Sequence, residues 1–437
     1  MKILLIGQTT LHWGRMEFGN IGNYYIIEPI VRELHKTFGE RLTINTTLQM
    51  SKEFCSRENV KVLPMNYYYE WNENYLTLAL EELSIATIYN KTGTIIKETP
   101  FIKEVLSSDL VIDFSGDIWG DNADLLGEDR FLIGLCKDRV AQLLNVPTVM
   151  IAGSPGPFNK KEMLPFIKEV YENFEIVTNR ESISTELLNK EGFDLTNTKS
   201  LACPAFLFEP TEGIEKQKLL QKVGLTERKR PTVGFILCGW NFENGPFDKW
   251  PREDSNYFVF AEAIEFMVSK FDVDICLMSH SNGFPIPPKK FELIYGRDYP
   301  VIKQLQKILR ERKNIAEDRF FTLDGVYNAW DTKAIISSFD MLVSGRIHAA
   351  VAGLSQIVPT VIIDYGHEPK AHKLRGFADV AGVLENVADP TNLEELINKI
   401  TKCWLGRKQI KNNLTERIKT VKEKARDNFS LLAEVVK

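Results

Sequence analysis

The chain has 437 residues, which is too long for one ordinary hydrophobic core and predicts two domains. Hydrophobic residues make up 44% of it and charged residues 26%, as is typical of a globular protein in water. The net charge of −5 gives the chain no overall positive field, so we do not expect nucleic acid as a partner.

Cysteine usage and apolar patterning indicate the compartment. The six cysteines are scattered and include no C-x-x-C pair, which predicts buried free thiols in a reducing environment. The apolar start, MKILLIG, is too short for a signal sequence, and no apolar run is long enough to cross a membrane. We therefore expect a cytoplasmic protein without a membrane span.

The first half of the chain alternates strands, loops and helices. Residues 2–7 form a buried strand, and a glycine-containing loop separates them from a helix at residues 24–38. This order opens a Rossmann-like domain, although the loop lacks the G-x-G-x-x-G spacing of dinucleotide sites. Residues 45–100 have no clear period. Their aromatic run MNYYYEWNENY either packs on the surface, which we favour, or contacts carbohydrate.

Three later strands of this half end in polar loops. Residues 109–114 lead into SGDIWGD, residues 146–151 into GSPGPF, and residues 174–178 into NRESIS. Ligands of open α/β sheets bind beyond such strand ends, and glycine there allows close approach of the backbone. Asp117 and Asp121 are the candidate functional carboxylates of this half. The alternative is that they only cap a helix and line a solvated loop.

A charged segment, residues 209–231, precedes a second series of elements. Strands are predicted at residues 232–238, 273–278 and 320–323, and helices at 258–270, 299–312, 334–339, 394–403 and 410–432. The predicted fold class is therefore α/β, with two Rossmann-like domains, residues 1–215 and 216–437, whose parallel sheets face a cleft. This arrangement resembles the GT-B architecture of many glycosyltransferases, in which the last helices often cross back to the first domain.

Residues 340–370, DMLVSGRIHAAVAGLSQIVPTVIIDYGHEPK, predict a strand, a turn, a helix and a second strand. A helix start at a strand end offers free N–H groups and a partial positive charge to an anion. Arg346 and His348 occupy that start, and Lys370 follows the second strand. Because the helix dipole does not favour a cation there, Arg346 indicates an anionic ligand, a phosphate or a carboxylate. The alternative for His348 is a buried core histidine.

The segments SGRIHAAVAGL and VPTVIIDYGHEPK resemble the C-terminal signature of the polysaccharide pyruvyltransferases, although Ile347 replaces the usual leucine. Three earlier segments are also similar to that family: GNIGN, GSPGP and the Arg-Glu-x-x-Ser run from Arg180. Asn23 stands where the family usually has aspartate. The resemblance implies transfer of pyruvate from phosphoenolpyruvate onto two hydroxyls of a sugar in a cell-surface or exopolysaccharide precursor, forming a ketal.

The resemblance, together with the chemistry of the side chains, gives each candidate a role. Arginine binds a carboxylate or a phosphate through two parallel donors, and histidine is the natural proton donor near neutral pH. We expect donor binding by Arg180, Arg346, His348 and Lys370, catalysis by His348 with Asp117 or Asp121 as the base, and contributions to the acceptor side and cleft loops from Gly116, Asn20, Ser154 and Tyr365. No metal and no cofactor is required beyond phosphoenolpyruvate as the donor.

Two alternatives stay open at this point. One is a GT-B glycosyltransferase that uses a nucleotide sugar. The other is a non-catalytic binding protein with the same cleft, for which Asn23 and the altered SGD turn leave room. The expected partners are phosphoenolpyruvate and a sugar or oligosaccharide acceptor, free or lipid-linked. The sequence identifies neither the acceptor nor the oligomeric state.

Overall fold

The structure is a computed structural model that describes residues 1–8, 21–50, 52–69, 74–242, 252–281, 298–366 and 371–436. Two predicted site residues, Asn20 and Lys370, lie outside these ranges. The described residues form two parallel β-sheets flanked by helices. The predicted α/β class with parallel sheets is therefore confirmed.

Within the described residues, the first sheet has seven strands in the order β3-β2-β1-β4-β5-β6-β7. These strands are β1 (Lys2–Ile6), β2 (Thr43–Thr46), β3 (Val60–Val62), β4 (Leu110–Asp113), β5 (Thr148–Gly153), β6 (Val177–Asn179) and β7 (Thr198–Ser200). All neighbouring pairs run parallel. The loops after β4, β5 and β6 therefore meet along one edge of the sheet.

The second sheet has six strands in the described part of the chain, in the order β10-β9-β8-β11-β12-β13. They are β8 (Thr232–Ile236), β9 (Asp274–Leu277), β10 (Phe320–Thr322), β11 (Met341–Ser344), β12 (Thr360–Ile363) and β13 (Val387–Ala388). Here too all neighbouring pairs are parallel. The loops after β8, β9 and β11 therefore lie next to one another.

Helices connect the strands of both sheets. They are α1 (Ile21–Phe38), α2 (Lys52–Glu58), α3 (Tyr75–Thr92), α4 (Pro100–Leu106), α5 (Arg130–Leu143), α6 (Leu164–Glu172), α7 (Ser182–Lys190), α8 (Gly213–Lys222), α9 (Phe258–Phe271), α10 (Tyr299–Arg312), α11 (Ala329–Ile336), α12 (Ile347–Ser355), α13 (Ala371–Val380), α14 (Leu393–Leu405) and α15 (Arg407–Val435). Across the described ranges, no helix combines the length and the apolar character that a membrane crossing requires.

The first sheet is covered on both faces, which explains why its central strand β1 is apolar from Ile3 to Ile6. In β1, Ile3 and Leu5 belong to one hydrophobic cluster, whereas Leu4 and Ile6 belong to another. Successive side chains of a strand point to opposite faces, so all four residues from Ile3 to Ile6 have to be apolar.

The structure corrects the prediction in two places. The helix predicted at residues 334–339 begins earlier, at Ala329, because the side chain of Asn328 caps it by accepting the N–H of Asp331 at 2.8 Å. The segment that had no clear period contains β2, β3 and the helices α2 to α4. Tyr68 and Tyr69 of its aromatic run are buried, in agreement with the packed interpretation.

The long helix α15 follows the second sheet but packs on the first. The side-chain amide of Asn428 donates to the carbonyl of Ala202 at 3.0 Å, and its oxygen accepts the hydroxyl of Thr178 at 2.6 Å. The Thr178 hydroxyl accepts the N–H of Ala152 at 3.0 Å, where β5 has an irregular register and a left-handed φ of 52°. The C-terminal helix thus supports the end of β5.

The two halves of the chain also share one hydrophobic cluster, to which both α1 and α12 contribute. The first sheet ends at Ser200 and the second begins at Thr232. The division predicted at residue 215 lies between them and stays a prediction. The cysteines form no disulfide within the described residues, and five of the six are buried.

Candidate active site

Arg346 lies directly after β11, at the start of α12. Its Nε donates to Asp298 Oδ2 at 2.6 Å, and its Nη2 donates to the other carboxylate oxygen. Asp298 is fully buried and also accepts the N–H of Ser281 at 2.9 Å. Burial opposes the charge of Arg346, but Asp298 holds the pKa of this guanidinium above its usual value. An anionic partner of Arg346 is therefore supplied by the protein itself, which the sequence did not reveal.

His348 lies in the first turn of α12 and meets α1 from the first half of the chain. A Cβ atom added to Gly22 would lie 2.5 Å from His348 Nδ1, so a larger residue at position 22 would displace the imidazole. The imidazole packs edge-on against Phe377, with ring centroids 5.7 Å apart. His348 Nε2 has no hydrogen-bond partner within the described residues. This nitrogen is also buried, so it is an unpaired polar atom to which a ligand would have to gain access.

Arg180 approaches the same aromatic ring from the first half, between β6 and α7. Its guanidinium carbon lies 5.1 Å from the centroid of the Phe377 ring. Its Nε donates to Ser154 Oγ at 2.8 Å, and its Nη2 lies 3.8 Å from the Asp117 carboxylate. Phe377 thus contacts both Arg180 and His348, so two predicted donor-binding residues from different halves meet at one ring.

The turn that carries Asp117 is held by buried polar groups. Asp113, the last residue of β4, accepts the N–H and the hydroxyl of Ser115 at 2.9 and 2.8 Å. Burial raises the pKa of Asp113 to about 7. Gly116 has a left-handed φ of 62°, which favours glycine, and its carbonyl accepts the N–H of Ser154 at 2.9 Å. These contacts fix the direction in which Asp117 leaves the sheet.

Helix α13, from the second half, packs against these loops. Lys373 is fully buried, and its Nζ donates to the carbonyls of Asp117 and Gly156 at 2.7 and 3.1 Å. A Cβ atom added to Gly376 would lie 2.5 Å from Glu181 Oε2, so the helix approaches Glu181 closely. The Glu181 side chain also caps α7. Glu181 therefore has a structural role beside Arg180.

A second histidine, His280, follows β9 close to Arg346. It is 1% exposed, and its backbone N–H donates to Asp298 Oδ2 at 3.3 Å. Its ring contacts Tyr25 of α1, with centroids 5.5 Å apart. In the described part of the chain, neither His280 Nε2 nor the Tyr25 hydroxyl has a hydrogen-bond partner. His280 is not among the residues predicted for the site, although it follows a strand as Arg180 does.

The two predicted carboxylates, Asp117 and Asp121, have different partners in the structure. Asp121 Oδ2 accepts the N–H groups of Asn159 and Lys160 at 2.5 and 3.3 Å, so Asp121 supports a neighbouring loop. Asp117 is the carboxylate that approaches Arg180. In the residues that the structure describes, no three His, Cys, Asp or Glu side chains converge as metal ligands would.

Tyr365 follows β12 and is buried. Its ring contacts Trp240, with centroids 5.8 Å apart. Tyr365 therefore packs against the loop that follows β8. Asn20 and Lys370, which the sequence placed near the same cleft, lie outside the described residues.

A family comparison now identifies the chain. Residues 20–367 match the family model described as polysaccharide pyruvyl transferase, which is well over half of the chain and includes Arg180, Arg346 and His348. The chain belongs to the polysaccharide pyruvyl transferase family. The resemblance read from the sequence is confirmed.

Relatives of this polysaccharide pyruvyl transferase family member extend the comparison. The amylovoran biosynthesis protein AmsJ of Erwinia amylovora is 21% identical over 441 residues, covering 95% of this chain and 98% of AmsJ. Among solved structures, Anabaena Alr3699/HepE in complex with UDP has 13% identity and a TM-score of 0.59, covering 100% of this chain and 99% of its own. A glycosyltransferase from Rickettsia africae ESF-5 has 14% identity and a TM-score of 0.56, covering 100% and 98%. At these identities the structures show the fold alone, and the predicted GT-B-like architecture is confirmed.

The surroundings of His348 in this pyruvyl transferase family member keep its imidazole neutral at pH 7. Burial is the main reason that its pKa falls to about 3, and the positive charge of Arg180 acts in the same direction. Asp117 opposes the shift, and Arg346 adds to it. A general acid has to carry a proton. His348 can therefore donate one only after a nearby negative charge has raised its pKa.

We expect that binding of an anionic donor supplies this charge. Phosphoenolpyruvate should then bind at pH 7 with uptake of about one proton by His348, because the pKa of the imidazole rises from below to above the solution pH. Isothermal titration calorimetry in buffers of different ionisation enthalpy measures this uptake. The variant His348→Gln corrects for protons exchanged by the donor itself. Equal uptake by both proteins would contradict the expectation.

Proposed function

We propose that this protein transfers pyruvate from phosphoenolpyruvate onto two hydroxyls of a sugar in a cell-surface or exopolysaccharide precursor, forming a ketal. The observation that carries the proposal is the meeting of Arg180 and His348 at Phe377, with Arg346 at the same helix start as His348. Family membership and the likeness to an amylovoran biosynthesis protein support it. No metal or further cofactor takes part in the proposed reaction.

Donor binding follows from the charges that face one another. Phosphoenolpyruvate carries a carboxylate and a phosphate, and arginine binds either group through parallel N–H donors. Arg180 is the principal clamp, because the guanidinium of Arg346 already holds Asp298. Arg346 contributes a fixed positive charge to the same site. Lys370, from the segment after β12, is the proposed partner of the phosphate.

In the proposed mechanism His348 donates a proton to the C3 methylene of phosphoenolpyruvate. This leaves an oxocarbenium centre at C2, which the first sugar hydroxyl attacks while Asp117 accepts its proton. The bond from C2 to the phosphate oxygen then breaks, and the second hydroxyl closes the ketal at C2. Of the two hydroxyl protons, one replaces the proton given up by His348 and the other leaves with phosphate, so atoms and charges balance.

A thermal-shift panel tests the donor. Phosphoenolpyruvate should raise the melting temperature, whereas UDP, GDP and CMP should not, because a ligand that binds only the folded state stabilises it by mass action. At a hundred times its dissociation constant, such a ligand stabilises by about 2.7 kcal/mol. A shift with UDP or GDP and none with phosphoenolpyruvate would favour a glycosyltransferase that uses a nucleotide sugar.

The same panel includes the variant Arg180→Ala. We expect it to weaken phosphoenolpyruvate binding by roughly tenfold or more, since a charge-assisted hydrogen bond contributes roughly 1.5–3 kcal/mol. Arg139→Ala is the matched control, because Arg139 is also a largely buried arginine of the same half and pairs with Glu169 at 2.9 Å. If both variants respond to phosphoenolpyruvate as the unsubstituted protein does, Arg180 is not a donor clamp.

A further inference from the structure

Lys373 is a buried cation that the proposed mechanism does not use. It lies in α13, which belongs to the second half, yet its Nζ donates to two carbonyls of the first half, those of Asp117 and Gly156. The two carbonyls come from the separate loops that follow β4 and β5. A lysine side chain is seldom fully buried, because desolvation of its charge is costly. Holding the two loops together would account for this position.

The contacts of α13 connect Lys373 to the other groups of the candidate site. Phe377, one turn after Lys373, contacts both Arg180 and His348. The same helix therefore contacts the candidate general acid through Phe377 and the turn of the candidate base through Lys373. A shift of α13 would change the separation of Asp117 from His348 as well as the position of each.

We propose that Lys373 is a positioning residue that sets the place and charge environment of Asp117 during acceptor deprotonation. The proposal rests on the proposed function, in which Asp117 takes the hydroxyl proton. Lys373 acts through the Asp117 carbonyl, which it holds at 2.7 Å, and not through contact with the reacting atoms. Its positive charge near the turn also favours the ionised form of the base.

The test compares Lys373→Met and Lys373→Arg with the unsubstituted protein. Phosphate release is measured with phosphoenolpyruvate and methyl hexopyranosides, whose neighbouring hydroxyls can form a cyclic ketal. We expect Lys373→Met to lower kcat roughly 10- to 100-fold, as misplacement of a reacting group by about 1 Å does. The dissociation constant of phosphoenolpyruvate should stay within about twofold, because the donor clamps are intact. Lys373→Arg should recover part of kcat.

The pH profile separates positioning from a general loss of structure. In Lys373→Met the acidic limb of kcat/KM should move to higher pH, since a positive charge near the base has been removed. Lys422→Met is the matched control, because Lys422 also joins the two halves, through Glu209 at 2.9 Å, but does not contact the loops after β4 and β5. An unchanged pH profile with kcat at the level of the control would overturn the proposal.

Amide hydrogen exchange provides a readout that does not require turnover. Residues 115–121 and 153–157 should exchange faster in Lys373→Met, whereas β8 and β11 should be unaffected. Unchanged exchange in both loops also overturns the proposal. If Lys373→Met does not fold, Lys373→Arg carries the test: its charge is kept, so the acidic limb should stay in place while kcat falls below that of the unsubstituted protein, and an unchanged kcat overturns the proposal. Failure of the unsubstituted protein to bind phosphoenolpyruvate would instead count against the proposed function, whatever the exchange data show.

Discussion

Replacement of His348 by glutamine should lower kcat for phosphate release by roughly a hundredfold or more, the contribution of a general acid. Glutamine keeps a polar side chain of similar reach but cannot deliver a proton to carbon. The dissociation constant of phosphoenolpyruvate should change far less, because Arg180 and Arg346 supply the fixed positive charges of the site. The measurement is a full set of steady-state rates beside calorimetric binding.

His35→Gln is the matched control for this result. His35 lies near the end of α1, where its ring nitrogen contacts the Glu58 carbonyl at 3.0 Å, so the same substitution there should leave kcat unchanged. A loss confined to phosphoenolpyruvate affinity in His348→Gln would make His348 a binding residue only. Equal rates in His348→Gln and the unsubstituted protein would remove it from the mechanism.

Replacement of Arg346 by alanine should destabilise the fold by about 3–5 kcal/mol, the cost of breaking a buried ion pair from one side. Asp298 has no exposed surface and only 16% of the Arg346 side chain is exposed, so the abandoned carboxylate would stay out of water. Urea unfolding, followed by circular dichroism, measures the loss. The structure thus adds a stability effect to the loss of donor binding that the sequence predicts for this substitution.

A double substitution distinguishes the loss of the ion pair from the cost of leaving Asp298 charged and buried. Arg346→Met combined with Asp298→Asn removes both charges, and we expect it to recover most of the stability, because neither partner is left charged and buried. Arg310→Ala is the control, since Arg310 pairs with Glu317 at 3.7 Å and both side chains are more than half exposed. Its loss should be below about 1 kcal/mol. Equal losses for Arg346→Ala and Arg310→Ala would mean that the Asp298 pair contributes no more than a surface contact.

The central strands of both sheets were predictable from the sequence because they are short and mainly apolar, whereas β2, β3 and β7 contain polar residues and were not predicted. Helix α3 was not predicted either, since its apolar residues surround it: Ala79 and Ile85 are buried, whereas Leu80 and Ile88 are exposed. The helical period is therefore absent from its sequence. Helix α4 could have been predicted, because a threonine cap at residue 99 followed by a proline is typical of a helix start.

The site was predictable one residue at a time but not as a set of contacts. Arg180, Arg346 and His348 each lie where a strand passes into a helix, which local sequence indicates. Asp298 precedes its partner by 48 residues, and Lys373 follows Asp117 by 256. Such contacts depend on how the two halves are oriented, and a single sequence does not encode that orientation in any local pattern.

The hydrogen bonds of Asn428 affect the order in which the parts of the chain fold during synthesis. Domains generally fold from the N-terminus as the chain leaves the ribosome, so the first sheet can pair once Ser200 has emerged. The end of β5, however, is supported through Thr178 by Asn428, and Ser154 reaches Arg180 from just beyond it. We therefore expect the first sheet to be synthesised first but completed only after residue 428 has been added, when the end of β5 and the Arg180 side chain held by Ser154 take their final places.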